Sequence, residues 1–240
     1  LVAWRKSSKE SLVKQFLTPL IVGAAIGVGA FVAVEQIHDV RMGAAGTTCF
    51  ALSGFTLWTI VQEFYRGVAV RRRNRKQSVL DALIGLVTRA RRRYGGYIVH
   101  LGVVLMFFGW AGNAYKIERK IGIKPGEIVE LGPYEIRHDG ATAAEDWQKD
   151  MLSVTFSVLQ DGEKVDELHP AKWWYYQSPE MPTSEVARHM TVGGDAYASI
   201  DDVDMTTGWT RANLYYNPLV NWVWVGFAVM IMGGIICLGT

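Results

Sequence analysis

Four stretches of this chain are apolar for long enough to cross a hydrocarbon core, which takes about 20 residues of helix: residues 16–35, 44–65, 95–115 and 219–239. Between the third and the fourth the pattern changes. Residues 116–217 are polar, and their apolar positions alternate instead of recurring every third or fourth residue. GEIVELGPYEIRHDG has a Gly-Pro turn between short alternating runs, and LSVTFSVLQDGEKVDELHP has Asp161 and Gly162 between two strand-like runs, a strong local hairpin signal. EVARHMTVGGDAYASIDDVD turns at Gly193, Gly194 and Asp195, and GWTRANLYYNP supplies a last strand leading into the final span. The expected fold is a multi-pass α-helical membrane protein with four transmembrane helices and an inserted periplasmic antiparallel β domain. Six to eight strands in a small barrel or sandwich would make up that domain.

Within the spans, small and hydroxylated residues mark helix contacts. Gly23, Gly27 and Ala30 form a small-residue seam in the first span. In the second, Thr47, Thr48, Ser53, Thr56 and Thr59 place hydroxyls at a density that suits packing against other helices. Four helices offer few partners, and the opening residues read as the tail of a preceding element, so a piece of a longer protein is expected.

Charge then orients the spans. Residues 66–93 carry ten Lys and Arg against one acid, Asp81, whereas residues 116–217 carry ten basic and eighteen acidic residues. The basic loop is therefore cytoplasmic and, with Arg5, Lys6, Lys9 and Lys14 ahead of the first span, the N-terminus is inside and the β domain outside. SVLDALIGLVTRARRRY opens on Ser78 as N-cap with Asp81 three residues on. It repeats Val79, Leu80, Leu83, Leu86, Val87 and Ala90 along one side, as a helix lying in the inner headgroup layer of the lipid bilayer would. RGVAVRRRNRKQ lacks interleaved aromatics and is flanked by spans, which speaks against nucleic acid as a partner. The resulting divisions are 1–65, two spans and a short outer loop; 66–94, basic loop and interfacial helix; 95–115, the third span; 116–217, the β domain; and 218–240, the last span. Both cysteines, Cys49 and Cys237, fall within spans, so the exported domain has no disulfide.

Candidate chemistry is sparse. His38, His138, His169 and His189 are too scattered for a zinc site or a Ser-His-Asp arrangement and read as surface or strand residues. WWYY, residues 173–176, suits packed β aromatics or a rim touching a partner better than a ligand-stacking platform. His100 differs, because an ionisable side chain in a membrane segment is costly and reads as functional. At about 100° per residue, Gly96, Tyr97, Val103, Val104, Phe107 and Ala111 share its face, while Gly95, Gly102 and Gly109 form a seam opposite. An imidazole with a bare glycine one turn before it and large apolar groups after it suits a flat macrocycle whose iron needs an axial nitrogen. A proton relay is a second reading, one that needs acidic or histidine partners these spans do not offer. A third is a histidine bonding a backbone carbonyl across a helix interface.

RRRYGGYIVHLGVVLMFFGWAGNAY resembles the late transmembrane histidine helix of the CcmF-type cytochrome c haem lyase family. PGEIVELGPYEIRHDG, the TFSVLQDGEKVDELHPAKWWYY hairpin with its following SPEMPTSEVA, and LYYNPLVNWVWVGFAVMIMGG are similar to successive pieces of that family's C-terminal third. The resemblance implies a haem-handling protein of the bacterial inner membrane, or the mitochondrial inner membrane if organellar. It would accept haem from a periplasmic haem chaperone and help attach it to the CXXCH cysteines of apocytochrome c, alongside other cytochrome c maturation subunits. It implies that His100 is an axial ligand of a resident haem b, with Gly96, Tyr97, Val104 and Phe107 around the ring. The family's tryptophan-rich WWD segment and its flanking histidines have no counterpart here, and WWYY does not match them. No catalytic residue is therefore assigned, and the remaining N-terminal portion is expected as a partner, fused or separate. The alternative to a haem-binding part of a lyase is a membrane-anchored recognition or scaffold module without cofactor; a transporter piece would show inverted repeats or broken helices, which are not seen.

Overall fold

The computed structural model describes residues 9–38, 43–75 and 78–239. Arg5 and Lys6, and the side chains of Lys9, Lys14 and His38, lie outside the described residues. The chain forms two compact units, a helical one drawn from the residues up to Ala114 and from Trp222 onward, and a β unit, Tyr115–Asn221.

The helical unit contains α1 (Lys9–His38), α2 (Ala44–Arg75), α3 (Val79–Arg89), α4 (Arg91–Ala111) and α5 (Trp222–Leu238). Among them α1, α2 and α4 are long and apolar enough to cross a membrane. The fourth expected span is shorter than expected: α5 has 17 residues, about 25 Å of helix against a hydrocarbon core of about 30 Å. The cause is local, because the preceding strand keeps its pairing through Pro218 and Leu219 takes a left-handed conformation, so the helix starts only at Trp222. The basic stretch expected as a loop is also different. α2 continues through Arg75, since Arg is a good helix former and Gly67 is the only Gly or Pro among residues 66–75.

Small residues set the helix contacts. A Cβ on Gly23 would come within 2.6 Å of the Ala51 carbonyl oxygen, and one on Gly27 within 2.9 Å of the Ala51 Cβ, so the seam of α1 meets α2. The glycine seam of α4 meets α5 even more closely. A Cβ on Gly102 would lie 2.5 Å from the Gly226 oxygen and from the Met230 nitrogen, and one on Gly226 would lie 2.5 Å from the Gly102 oxygen. These are backbone atoms, which cannot yield, and only glycine permits the approach. α3 begins as its sequence predicts, with the Asp81 backbone N–H donating to Ser78 Oγ at 3.1 Å.

Ten strands in the described residues form two antiparallel sheets. The first has the order β1 (Ile117–Ile123), β10 (Thr210–Pro218), β9 (Gly194–Val203), β8 (Ala187–Met190). The second has the order β2 (Ile128–Leu131), β3 (Tyr134–Glu145), β4 (Lys149–Gln160), β6 (Ala171–Tyr175), β7 (Thr183–Glu185), with β5 (Glu163–Leu168) also paired to β4. Their inner faces share one core, in which Ile136, Val154, Phe156 and Val158 of one sheet pack with Ala196, Ile200, Ala212 and Leu214 of the other. The arrangement is a sandwich. Asp161 and Gly162, at φ 53° and 81°, make the two-residue hairpin turn that their identities predict. WWYY runs along β6, half-buried from Trp173 to Tyr175 and exposed at Tyr176.

Candidate functional site

α4 carries small residues on one side and His100 on the other. Against that second side, α2 leaves a groove of about 620 Å³, lined from α4 by His100, Val103, Val104 and Phe107 and from α2 by residues that include Thr48, Cys49, Leu52 and Thr56. Its volume is in the range of small-molecule and cofactor sites, about 300–1,000 Å³. The α2 hydroxyls are satisfied internally. Thr48 and Thr56 donate to the carbonyls of Ala44 and Leu52 at 2.7 and 2.8 Å, so they add little polarity to the groove. Cys49 Sγ lies 3.3 Å from the Phe107 carbonyl and ties the two walls together.

The imidazole has a defined tautomer. His100 Nδ1 lies 2.7 Å from the Gly96 carbonyl oxygen. A carbonyl can only accept, so Nδ1 carries the proton, and in the neutral ring the lone pair is on Nε2. Among the described residues nothing takes Nε2, and the ring is exposed at the groove. Beside it Gly96 leaves open space, since a Cβ there would meet nothing within 4 Å. Metal-bound histidines characteristically donate their other ring N–H to a carbonyl or carboxylate in this way.

Of the residues singled out by sequence, His100, Val104 and Phe107 line the groove, and Gly96 supplies the carbonyl and the space. Tyr97 belongs elsewhere. Its hydroxyl donates to Glu63 Oε2 at 3.1 Å, because a half-buried phenol is drawn to the strongest acceptor in reach. Glu63 is only 9% exposed and also binds Arg93 Nη2 at 2.6 Å, with Arg66 Nη1 at 3.6 Å. The expectation that the spans offer no acidic group is therefore corrected: a carboxylate is buried between α2 and α4, held by cations and a phenol. Its sequence signal was a lone acid at the end of an apolar run just before a basic one.

The sandwich also encloses polar chemistry. His138 is fully buried, with Nε2 2.8 Å from Thr210 Oγ1 and Nδ1 accepting from the Gly140 backbone N–H at 2.9 Å. Gly140, at φ 141°, sits where the β3–β4 register shifts, and that bulge turns its N–H back onto the ring. Burial pushes the His138 imidazole below its ordinary value. His189 pairs with Asp166 at 2.7 Å, and that bond holds the Asp166 carboxyl below the usual carboxylate range. Among the described residues no group of three or more His, Cys, Asp or Glu could hold a metal ion.

Residues 114–218 match a family model described as the CcmF C-terminal beta-sandwich. Curated relatives include the cytochrome c-type biogenesis protein CcmF of Pseudomonas aeruginosa, 26% identical over 98% of this chain and 33% of the relative. CycK of Rhizobium meliloti is 25% identical over 99% of this chain and 34% of its own length, and CcmF of Escherichia coli is 29% identical over 63% and 23%. A solved structure titled "Cytochrome c Heme Lyase CcmF" covers the whole chain with a TM-score of 0.73 at 20% identity, using 36% of its own length. The chain thus spans about a third of the length of relatives that it matches end to end.

Proposed function

Because the chain belongs to the CcmF family of cytochrome c biogenesis proteins, as a C-terminal portion, we propose that it forms the wall of a haem b site in a membrane haem lyase. The observation that carries this reading is the His100 tautomer. With Nδ1–H committed to Gly96, Nε2 is the nitrogen that the neutral ring offers to an apolar groove. The bond to its own helix also argues against a histidine that serves only to tie two helices together. Val104 and Phe107 exclude water along the groove, Gly96 leaves a flat ring room to approach, and Cys49 holds the far wall to Phe107. When bound, the haem would supply one-electron chemistry that keeps transferred haem iron reduced. The groove has no second imidazole among the described residues, so any further ligand to a bound haem would come from outside it.

In this reading the sandwich is periplasmic, α3 lies on the cytoplasmic face of the bacterial inner membrane, and the whole protein acts with a haem chaperone and other maturation subunits. Its product would be haem joined to the CXXCH cysteines of an apocytochrome. The test is the reduced-minus-oxidised spectrum of the full-length protein purified from membranes. His100→Ala should remove the b-type band while the protein still accumulates. A band that survives unchanged in His100→Ala would defeat the ligand assignment.

A further inference from the structure

The β3–β4 hairpin ends in a bare indole. Trp147 is 85% exposed, in a turn that is otherwise firmly braced. Asp146 Oδ1 accepts the backbone N–H groups of Gln148 and Lys149 at 2.7 and 2.9 Å, and Lys149 Nζ donates to Asp146 Oδ2 at 2.7 Å. The Tyr176 backbone N–H donates to the Gln148 carbonyl at 2.9 Å, and its hydroxyl donates to Asp150 Oδ1 at 3.0 Å. Exposure here is therefore built in and does not come from a loose loop. Because Lys149 pairs with Tyr175, the β6–β7 loop reaches the same end of the sheet, and it brings the exposed side chains of Tyr176 and Met181. A lone surface aromatic is ordinary, but a Trp, a Tyr and a Met on one rigid edge have the composition of an interface centre.

The charges around this edge that lack an ion-pair partner among the described residues are acidic. Glu145 and Asp150 are exposed and directly opposite each other across the β3–β4 ladder, and Glu180 is in the neighbouring loop. Like charges in directly opposed positions destabilise a sheet. Lys149 cannot relieve them, being committed to Asp146 and to the Trp173 ring, 4.7 Å from its Nζ. A cation from outside would. We propose that the Trp147 edge is a docking surface for a basic polypeptide segment, in which an apolar residue covers the indole and a Lys or Arg enters between Glu145 and Asp150. An anionic lipid surface is disfavoured by the same carboxylates. The choice of an apocytochrome as the probe rests on the proposed role in cytochrome c maturation.

The experiment uses the full-length protein in phosphatidylcholine nanodiscs and, as probe, a haem-free cytochrome c polypeptide of net positive charge with its cysteines alkylated. Trp147→Ser should weaken binding about tenfold, and Glu145→Gln with Asp150→Asn should weaken it several-fold and flatten its salt dependence. Val192→Ser, at the equally bare turn between β8 and β9, should leave it unchanged. His100→Ala should bind as wild type does, which separates this surface from the haem assignment. Binding within twofold of wild type in both edge variants would overturn the proposal. So would a Trp147→Cys thiol that maleimide cannot reach in the full-length protein alone, showing the edge already covered. Protection of that thiol by phosphatidylglycerol-rich vesicles and not by the polypeptide would replace it with a membrane contact.

Discussion

His100 and His138 sit in similarly apolar surroundings and are bonded in opposite ways. In the core of the sandwich both ring nitrogens of His138 are engaged, by Thr210 on the facing sheet and by Gly140 across the bulge. On the flank of α4 one nitrogen of His100 is engaged, by its own helix, and the other is available. A histidine satisfied on both sides is a structural cross-link between two sheets. A histidine bonded on one side, by its own helix, leaves its second nitrogen facing the groove.

The contrast is broken most severely at the buried ring. His138→Ala should cost about 3 kcal/mol, the sum of a cavity and two stranded hydrogen-bonding groups. Pulse proteolysis of the full-length protein, reporting cleavage within residues 115–221, would measure it, and wild-type resistance would show that the core bonds are dispensable. A smaller effect comes from pH. A depressed imidazole means that the unfolded chain binds the proton more readily, so stability is complete above about pH 6.5 and falls as pH drops through the window below it. Above about pH 5, where carboxylates such as Asp166 do not yet titrate, the fall should vanish in His138→Phe; a slope persisting there would place its origin elsewhere. The smallest effect belongs to His100→Ala. With no partner lost beyond its own helix carbonyl, it should leave resistance to proteolysis within about 0.5 kcal/mol of wild type in haem-free protein. A large loss would recast this histidine as structural.

Much of this was legible in sequence because it is local. The Asp161–Gly162 turn, the Ser78 cap and the glycine seam of α4 follow from residue identity and helical or strand period, and the structure shows each. What escaped was pairing across distance. Glu63 reads as the polar end of a span until Arg93, 30 residues later, arrives on the neighbouring helix. His138 looked like one more strand residue, although alternation with the buried Tyr134 and Ile136 already placed it on the inward face. Its acceptor is 72 positions away in the other sheet, and no local pattern specifies that. The length of α2 was missed for a different reason. A run of arginines reads as a solvated loop by charge, but charge does not break a helix; Gly or Pro in series would have been needed.

The glycine contacts of α4 also have a mechanical consequence. Where carbonyl oxygens and amide nitrogens of α4 and α5 meet without side chains between them, the two helices have no rotamers with which to slide or spread, and they move as one body. The opposite wall of the groove is fastened by softer means, a thiol at Cys49 and a carboxylate clasp at Glu63, about 14 residues of helix apart. Opening the groove by moving α2 breaks only these softer ties, whereas opening it by moving α4 must also carry α5 along.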